Sequence, residues 1–125
     1  MEEINDQEAK EVEEEEEVKD EKVNVKTLQV FYVAGVQHHQ MRTVIDEFEL
    51  GMELDLEREP ENPYDPNAIR ITYNNVMCGY VPKKFSASLS AAIETEANIE
   101  CVITKLNKSS KPWEWCQVEV REISD

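Results

Sequence analysis

Residues 59–67 read EPENPYDPN, with three prolines in nine positions. No other stretch limits the fold as sharply. Proline lacks a backbone donor and keeps the residue before it out of the helical region, so regular structure is excluded here. Just upstream, residues 52–58 alternate: Met52, Leu54 and Leu56 face one way, Glu53, Asp55 and Glu57 the other. That is the pattern of a half-exposed antiparallel strand. Alternation resumes over 68–73, with Ile69, Ile71 and Tyr73 on one side. Asn74 and Asn75 suit a two-residue hairpin turn, since asparagine tolerates positive φ, and 76–81 forms the return strand. The loop is thus a stiff insert between two antiparallel strands.

The remaining segments extend this pattern. Residues 28–35, LQVFYVAG, are rich in β-branched and aromatic side chains and end in glycine, which predicts a strand. Met41, Val44, Ile45 and Phe48 lie at i, i+3, i+4 and i+7, the spacing of one helical face, and Gly51 ends that segment. Pro82 suits a helix start. Phe85, Leu89, Ala92 and Ile93 then give an apolar face to a helix over about 86–96. Residues 98–107 and 113–123 predict two further strands around a turn at 108–112. The reading is mainly β with two short helices and about six strands. Hairpin-linked strands of this length favour a small barrel or a strongly bent sheet, because closure removes exposed edges.

Charge divides the chain. It carries 28 acids and 13 bases, a net of −15. Residues 1–22 hold 12 of the acids and 3 of the bases, and 23–125 hold the other 16 and 10, so the nets are −9 and −6. The first segment has few apolar residues and an unbroken acid run at 13–17. It cannot bury enough surface to offset its ordering entropy, which predicts a disordered tail over 1–25 ahead of a domain over 26–125. The tail is expected to solubilise the protein, or to compete with nucleic acid for the domain's own basic site. A domain at −6 is no indiscriminate polyanion binder, although its bases can still gather on one surface. The N-terminus lacks an apolar signal region, and the longest apolar run, 30–36, falls short of the roughly 20 residues a membrane span needs. No membrane association is expected.

Several chemistries are excluded. The only glycines are Gly35, Gly51 and Gly79, so no phosphate-cradling glycine loop can form. There is no nucleophile elbow. Cys78, Cys101 and Cys116 are odd in number and none pairs at C-x-x-C spacing. They read as buried free thiols in strands, which fits a reducing, cytoplasmic setting. His38 and His39 are adjacent, and in extended chain would point apart rather than share a metal. No catalysis, cofactor or metal is expected.

The segment 54–81 carries a longer pattern. An alternating strand ends in R-E-P (58–60), N-P-Y-D-P-N-A-I follows (62–69), and a strand pair ends in G-Y-V-P (79–82). It resembles the HIRAN domain, found at the front of Swi/Snf-class fork-remodelling helicases and as a stand-alone protein in bacteria and phages. Ala34-Gly35-Val36 resembles the family's opening strand end, and the likeness spans about 27–123. It implies a small OB-like β-barrel with packed helices, and binding of the free 3′ end of single-stranded DNA in a pocket.

Carried onto this sequence, the resemblance places Asn62, Tyr64 and Asp65 at that pocket. Tyr64 offers a ring on which a base can stack, and Asn62 offers both a donor and an acceptor. Asp65 suits a terminal hydroxyl, while a strand continuing past it would bring a phosphate against the carboxylate. His38, Tyr80 and Lys83 are further candidates, Lys83 or Lys84 as a phosphate-contacting cation. Where helicase members carry an arginine and tyrosines after the first glycine, this chain has Gln37, His38 and His39. A larger helicase or nuclease is a further partner class. Two other readings stay open. The loop can be a self-braced turn with Tyr64 covering the core. The domain can keep the fold as a protein-interaction or regulatory module that has lost DNA-end binding. A last cluster, Lys105, Lys108, Lys111, Trp113 and Trp115, surrounds the final hairpin, as a single-strand contact or as a polar turn with one tryptophan covering the core's end.

Overall fold

A computed structural model describes residues 23–124. The acidic-tail expectation for residues 1–22 lies outside them. Six antiparallel strands form one sheet: β1 (Asn24–Tyr32), β2 (Glu53–Arg58), β3 (Ile69–Tyr73), β4 (Val76–Tyr80), β5 (Asn98–Leu106) and β6 (Cys116–Ser124). Their spatial order is β1-β6-β5-β2-β3-β4. One α-helix, α1 (Lys83–Glu94), follows β4.

The expected closed barrel does not form; the six strands make an open sheet. The chain just past β1 meets the far edge strand at a single bridge. Ala34 N–H donates to the Tyr80 carbonyl at 2.8 Å, and Tyr80 N–H returns a bond to the Ala34 carbonyl at 2.9 Å. Pairing stops there because Gly35, at φ +70°, turns the chain into a 3-10 turn over Val36–His38. A β1 that bends away cannot run beside β4, so the two edges are pinned at one point instead of laddered.

The second expected helix, over 41–48, also takes another form. It is two 3-10 turns, Met41–Thr43 and Ile45–Glu47. The Thr43-Val44-Ile45 run is β-branched and disfavours continuous helix. Thr43 Oγ1 donates to the Gln40 carbonyl at 2.7 Å, a local bond that competes with helical pairing. Met41, Val44, Ile45 and Phe48 are nonetheless all buried, so the periodicity located the core face and mistook the geometry.

The strand expectations hold more closely. Asn74 and Asn75 both have positive φ, 49° and 67°, as the two central residues of a type I′ hairpin turn require. Leu54 is buried while Glu53 and Asp55 are exposed, which fixes the register of β2 against the core. On α1, Leu89 is buried, and Phe85 stacks on Phe31 with ring centroids 5.9 Å apart. Arg58, the arginine of R-E-P, ties β2 to this helix: its Nε donates to Ser90 Oγ at 2.8 Å and its Nη1 lies 3.1 Å from Glu94. Cys78, Cys101 and Cys116 are free and buried. Burial pushes the Cys78 thiol up to about 11 and Cys116 to about 12, and raises Cys101 further, so all three act as small apolar groups. Among the described residues no helix is long and apolar enough to cross a membrane.

Candidate nucleic-acid interface

The proline-rich loop folds back on itself through its own side chains. Asn62 Oδ1 accepts from Tyr64 N–H at 2.8 Å and from Asp65 N–H at 3.1 Å, and Asn62 Nδ2 donates to Glu59 Oε1 at 2.9 Å. Ala68 N–H donates to the Asp65 carbonyl at 3.0 Å. Asn62 therefore acts as a brace, its oxygen fully engaged by the loop backbone and its amide nitrogen bonded to Glu59.

This bracing drives Tyr64 outward. Among the described residues no side chain covers the ring, which is 87% exposed. The exposed ring excludes the alternative in which Tyr64 covers the core, while the self-bracing that alternative also called for, through Asn62 and Asp65, does form.

Asp65 sits between the loop and the start of α1. Its Oδ1 accepts from Asn67 N–H at 2.9 Å, and its Oδ2 accepts from Ser86 Oγ at 2.8 Å. The Ser86 hydroxyl above all, then the Asn67 amide, holds the carboxyl below its usual range against a partial desolvation cost, and Lys83 assists. An ionised carboxylate presents about four acceptor directions, so two remain after these bonds. Because folding lowers this pKa, the stabilisation it gives is present above the ordinary carboxylate range and disappears as pH falls through the lowered value. Asp65→Asn is therefore expected to lower the thermal midpoint at pH 7, with the gap from wild type closing as the solution is acidified. A gap independent of pH would refute the ionised-anchor role.

These elements frame a concavity of about 900 Å³. The loop from Glu59 to Asp65 forms one wall, Ala34 and Gly35 another, and Tyr80, Val81 and Lys83 the third. Asn62, Tyr64, Asp65, Tyr80 and Lys83 thus share one site. His38 is exposed on its 3-10 turn and is not among the lining residues. His39 instead lies edge-on to Tyr80, centroids 5.5 Å apart. Tyr80 is half-buried, and its hydroxyl donates to Glu59 Oε1 at 2.8 Å. Burial first, then the bond to Glu59, raises its pKa, so the phenol stays protonated.

Sequence reasoning gave no role to Glu59 or Ser86, and placed Gly79 only as part of G-Y-V-P. Glu59 joins the loop to β4, and Ser86 fixes Asp65 from inside α1. Gly79 lets Ala34 approach β4, because a Cβ built there would fall 2.4 Å from the Ala34 carbonyl oxygen. Glu59 and Gly79 had local sequence signals, as parts of R-E-P and G-Y-V-P, and Ser86 had none.

The lysine and tryptophan cluster separates into two roles. Trp115 packs against the core and donates from Nε1 to the Ser110 carbonyl at 2.9 Å. Trp113 is half exposed, with Lys111 Nζ 5.7 Å from its ring centroid, while Lys108 is paired with Asp46. No group of three or more His, Cys, Asp or Glu among the described residues could hold a metal ion.

The family model for the HIRAN domain matches residues 26–121. No curated protein matches the chain. Among solved structures, a protein from Lactobacillus plantarum superposes over 82% of this chain and 99% of its own, with a TM-score of 0.70 and 18% identity. The HIRAN domain of human HLTF covers 81% of this chain and 80% of its own, with a TM-score of 0.62 and 18% identity. At such identities the likeness is one of fold.

Proposed function

This chain belongs to the HIRAN domain family, and on that premise we propose that it binds single-stranded DNA at a free 3′ end, by recognition without catalysis. The observation that carries this reading is the 87% exposed Tyr64 ring at the rim of a 900 Å³ concavity. The terminal base stacks on that ring. The remaining acceptor directions of Asp65 receive the terminal hydroxyl. Lys83, at the start of α1, meets the preceding phosphate, where the helix N-terminus also favours an anion.

The lining also favours an end over a passing strand. Glu59, Glu61 and Asp65 face a single cation, Lys83. A strand threaded through would carry phosphate past three carboxylates, whereas a strand that stops there presents a neutral hydroxyl. The same acidity supports the rival reading, a protein-interaction domain that has lost DNA-end binding.

Linear and circular forms of one single-stranded sequence separate the two. Titration of labelled DNA at low salt, where phosphate contacts are strongest, is expected to give at least tenfold tighter binding to the linear form. Equal binding to both removes end recognition, and binding to neither favours the protein-interaction reading.

A further inference from the structure

Glu59 stands in the wall of the concavity at the meeting point of three elements. Its Oε1 accepts from the Tyr80 hydroxyl of β4 at 2.8 Å and from Asn62 Nδ2 of the loop at 2.9 Å. Its Oε2 lies 3.7 Å from Arg70 Nη1 of β3. The side chain is 23% exposed. Two of these partners are neutral donors, which fix the position of the negative charge without cancelling it. The third is engaged elsewhere: Arg70 Nε and Nη2 lie 2.7 and 2.6 Å from Glu57 Oε1. A carboxylate held still, partly out of water and incompletely neutralised projects its field into the space it lines.

We propose that Glu59 reinforces Asp65 in setting which terminus the concavity accepts, adding a second fixed negative charge that admits a 3′-hydroxyl and disfavours a 3′-phosphate. The inference rests on the 3′-end reading above. A terminal phosphate carries roughly −1.5 to −2 charges at neutral pH, as phosphate monoesters do, while a hydroxyl carries none. The other two carboxylates of the lining act differently. Asp65 is held by donors on both oxygens and is placed to accept the hydroxyl. Glu61 is exposed, so salt and water screen it. Glu59 is restrained and partly buried as Asp65 is, but makes no bond to the terminal hydroxyl, so its charge can be removed without removing the hydroxyl's acceptor.

The test is the ratio of affinities for two oligonucleotides that differ only in a 3′-hydroxyl or a 3′-phosphate. Glu59→Gln keeps the side chain's shape and its acceptor oxygen for Tyr80 and Asn62 while removing the charge. It is expected to improve relative binding of the phosphorylated oligonucleotide by about three- to tenfold, an order-of-magnitude figure for one like-charge contact near the surface. Glu59→Asp, which keeps the charge, should leave the ratio close to wild type. Glu61→Gln should move it less than Glu59→Gln. Tyr80→Phe, which removes a brace and no charge, should shift both affinities together and hold the ratio.

An unchanged ratio in Glu59→Gln, in a protein that still prefers linear over circular DNA, overturns the role of Glu59 and leaves end binding standing. A larger change in Glu61→Gln than in Glu59→Gln also overturns it. Loss of the linear preference in the wild type refutes the end-binding reading itself.

Discussion

Tyr64→Ala is expected to weaken single-strand DNA binding by about five- to 150-fold while leaving the fold intact. Base–aromatic stacking contributes roughly 1–3 kcal/mol per base, and each 1.4 kcal/mol is about tenfold in affinity. The ring is 87% exposed, so its removal takes almost nothing from the core. The bond that shapes the loop at this position uses the Tyr64 backbone N–H, which alanine keeps. Surface changes of this kind usually shift stability by less than about 0.5 kcal/mol. Tyr64→Phe should retain most of the affinity, because the ring and not the hydroxyl is the stacking surface. Fluorescence titration alongside a thermal melt checks both halves. A large fall in the melting midpoint would mean that the ring supports the structure.

Gly79→Ala is expected to have the largest effect on the fold. The added Cβ would lie 2.4 Å from the Ala34 carbonyl oxygen and 2.6 Å from Val33 Cγ1. The first of these atoms is backbone, and it accepts the Tyr80 N–H in the one bridge that joins the two edges of the sheet. It cannot withdraw without opening that bridge. Overpacking of this kind typically costs about 1–3 kcal/mol, which for a domain of this size lowers the midpoint by roughly 4–20 °C. Ala34 and Gly35 also line the concavity, so DNA affinity should fall with stability. Wild-type stability in Gly79→Ala would show that the Ala34–Tyr80 contact does not hold the edges together.

These two residues also mark what could be read from the chain. The strands were legible because alternation is local: Leu54 between Glu53 and Asp55 states a buried face within three residues. The Asn74–Asn75 turn was legible for the same reason, since positive φ is a property of those residues themselves. The loop's composition likewise announced a stiff, irregular insert, but left open whether Tyr64 stands out from it or covers the core. The failures lie where distant segments meet. The periodicity at 41–48 found which side chains are buried, but the β-branched run decided the backbone. Whether the sheet closes depends on how far residues past β1 run beside β4, and Gly35 ends that pairing after one bridge. The links from Ser86 to Asp65 and from Glu59 to Tyr80 each span 21 residues, and no local pattern encodes them. Asn62 could be read either as a base contact or as a brace of its own turn, and its side chain is mainly occupied in shaping the loop that carries Tyr64 and Asp65.

The central claim is that this concavity receives the hydroxyl end of a DNA strand. Titration of the wild-type protein with two single-stranded oligonucleotides of one sequence, ending in a 3′-hydroxyl or a 3′-phosphate, tests it most directly. The hydroxyl-ended strand is expected to bind at least tenfold tighter; equal affinities, or a preference for the phosphate, would contradict recognition of the hydroxyl end.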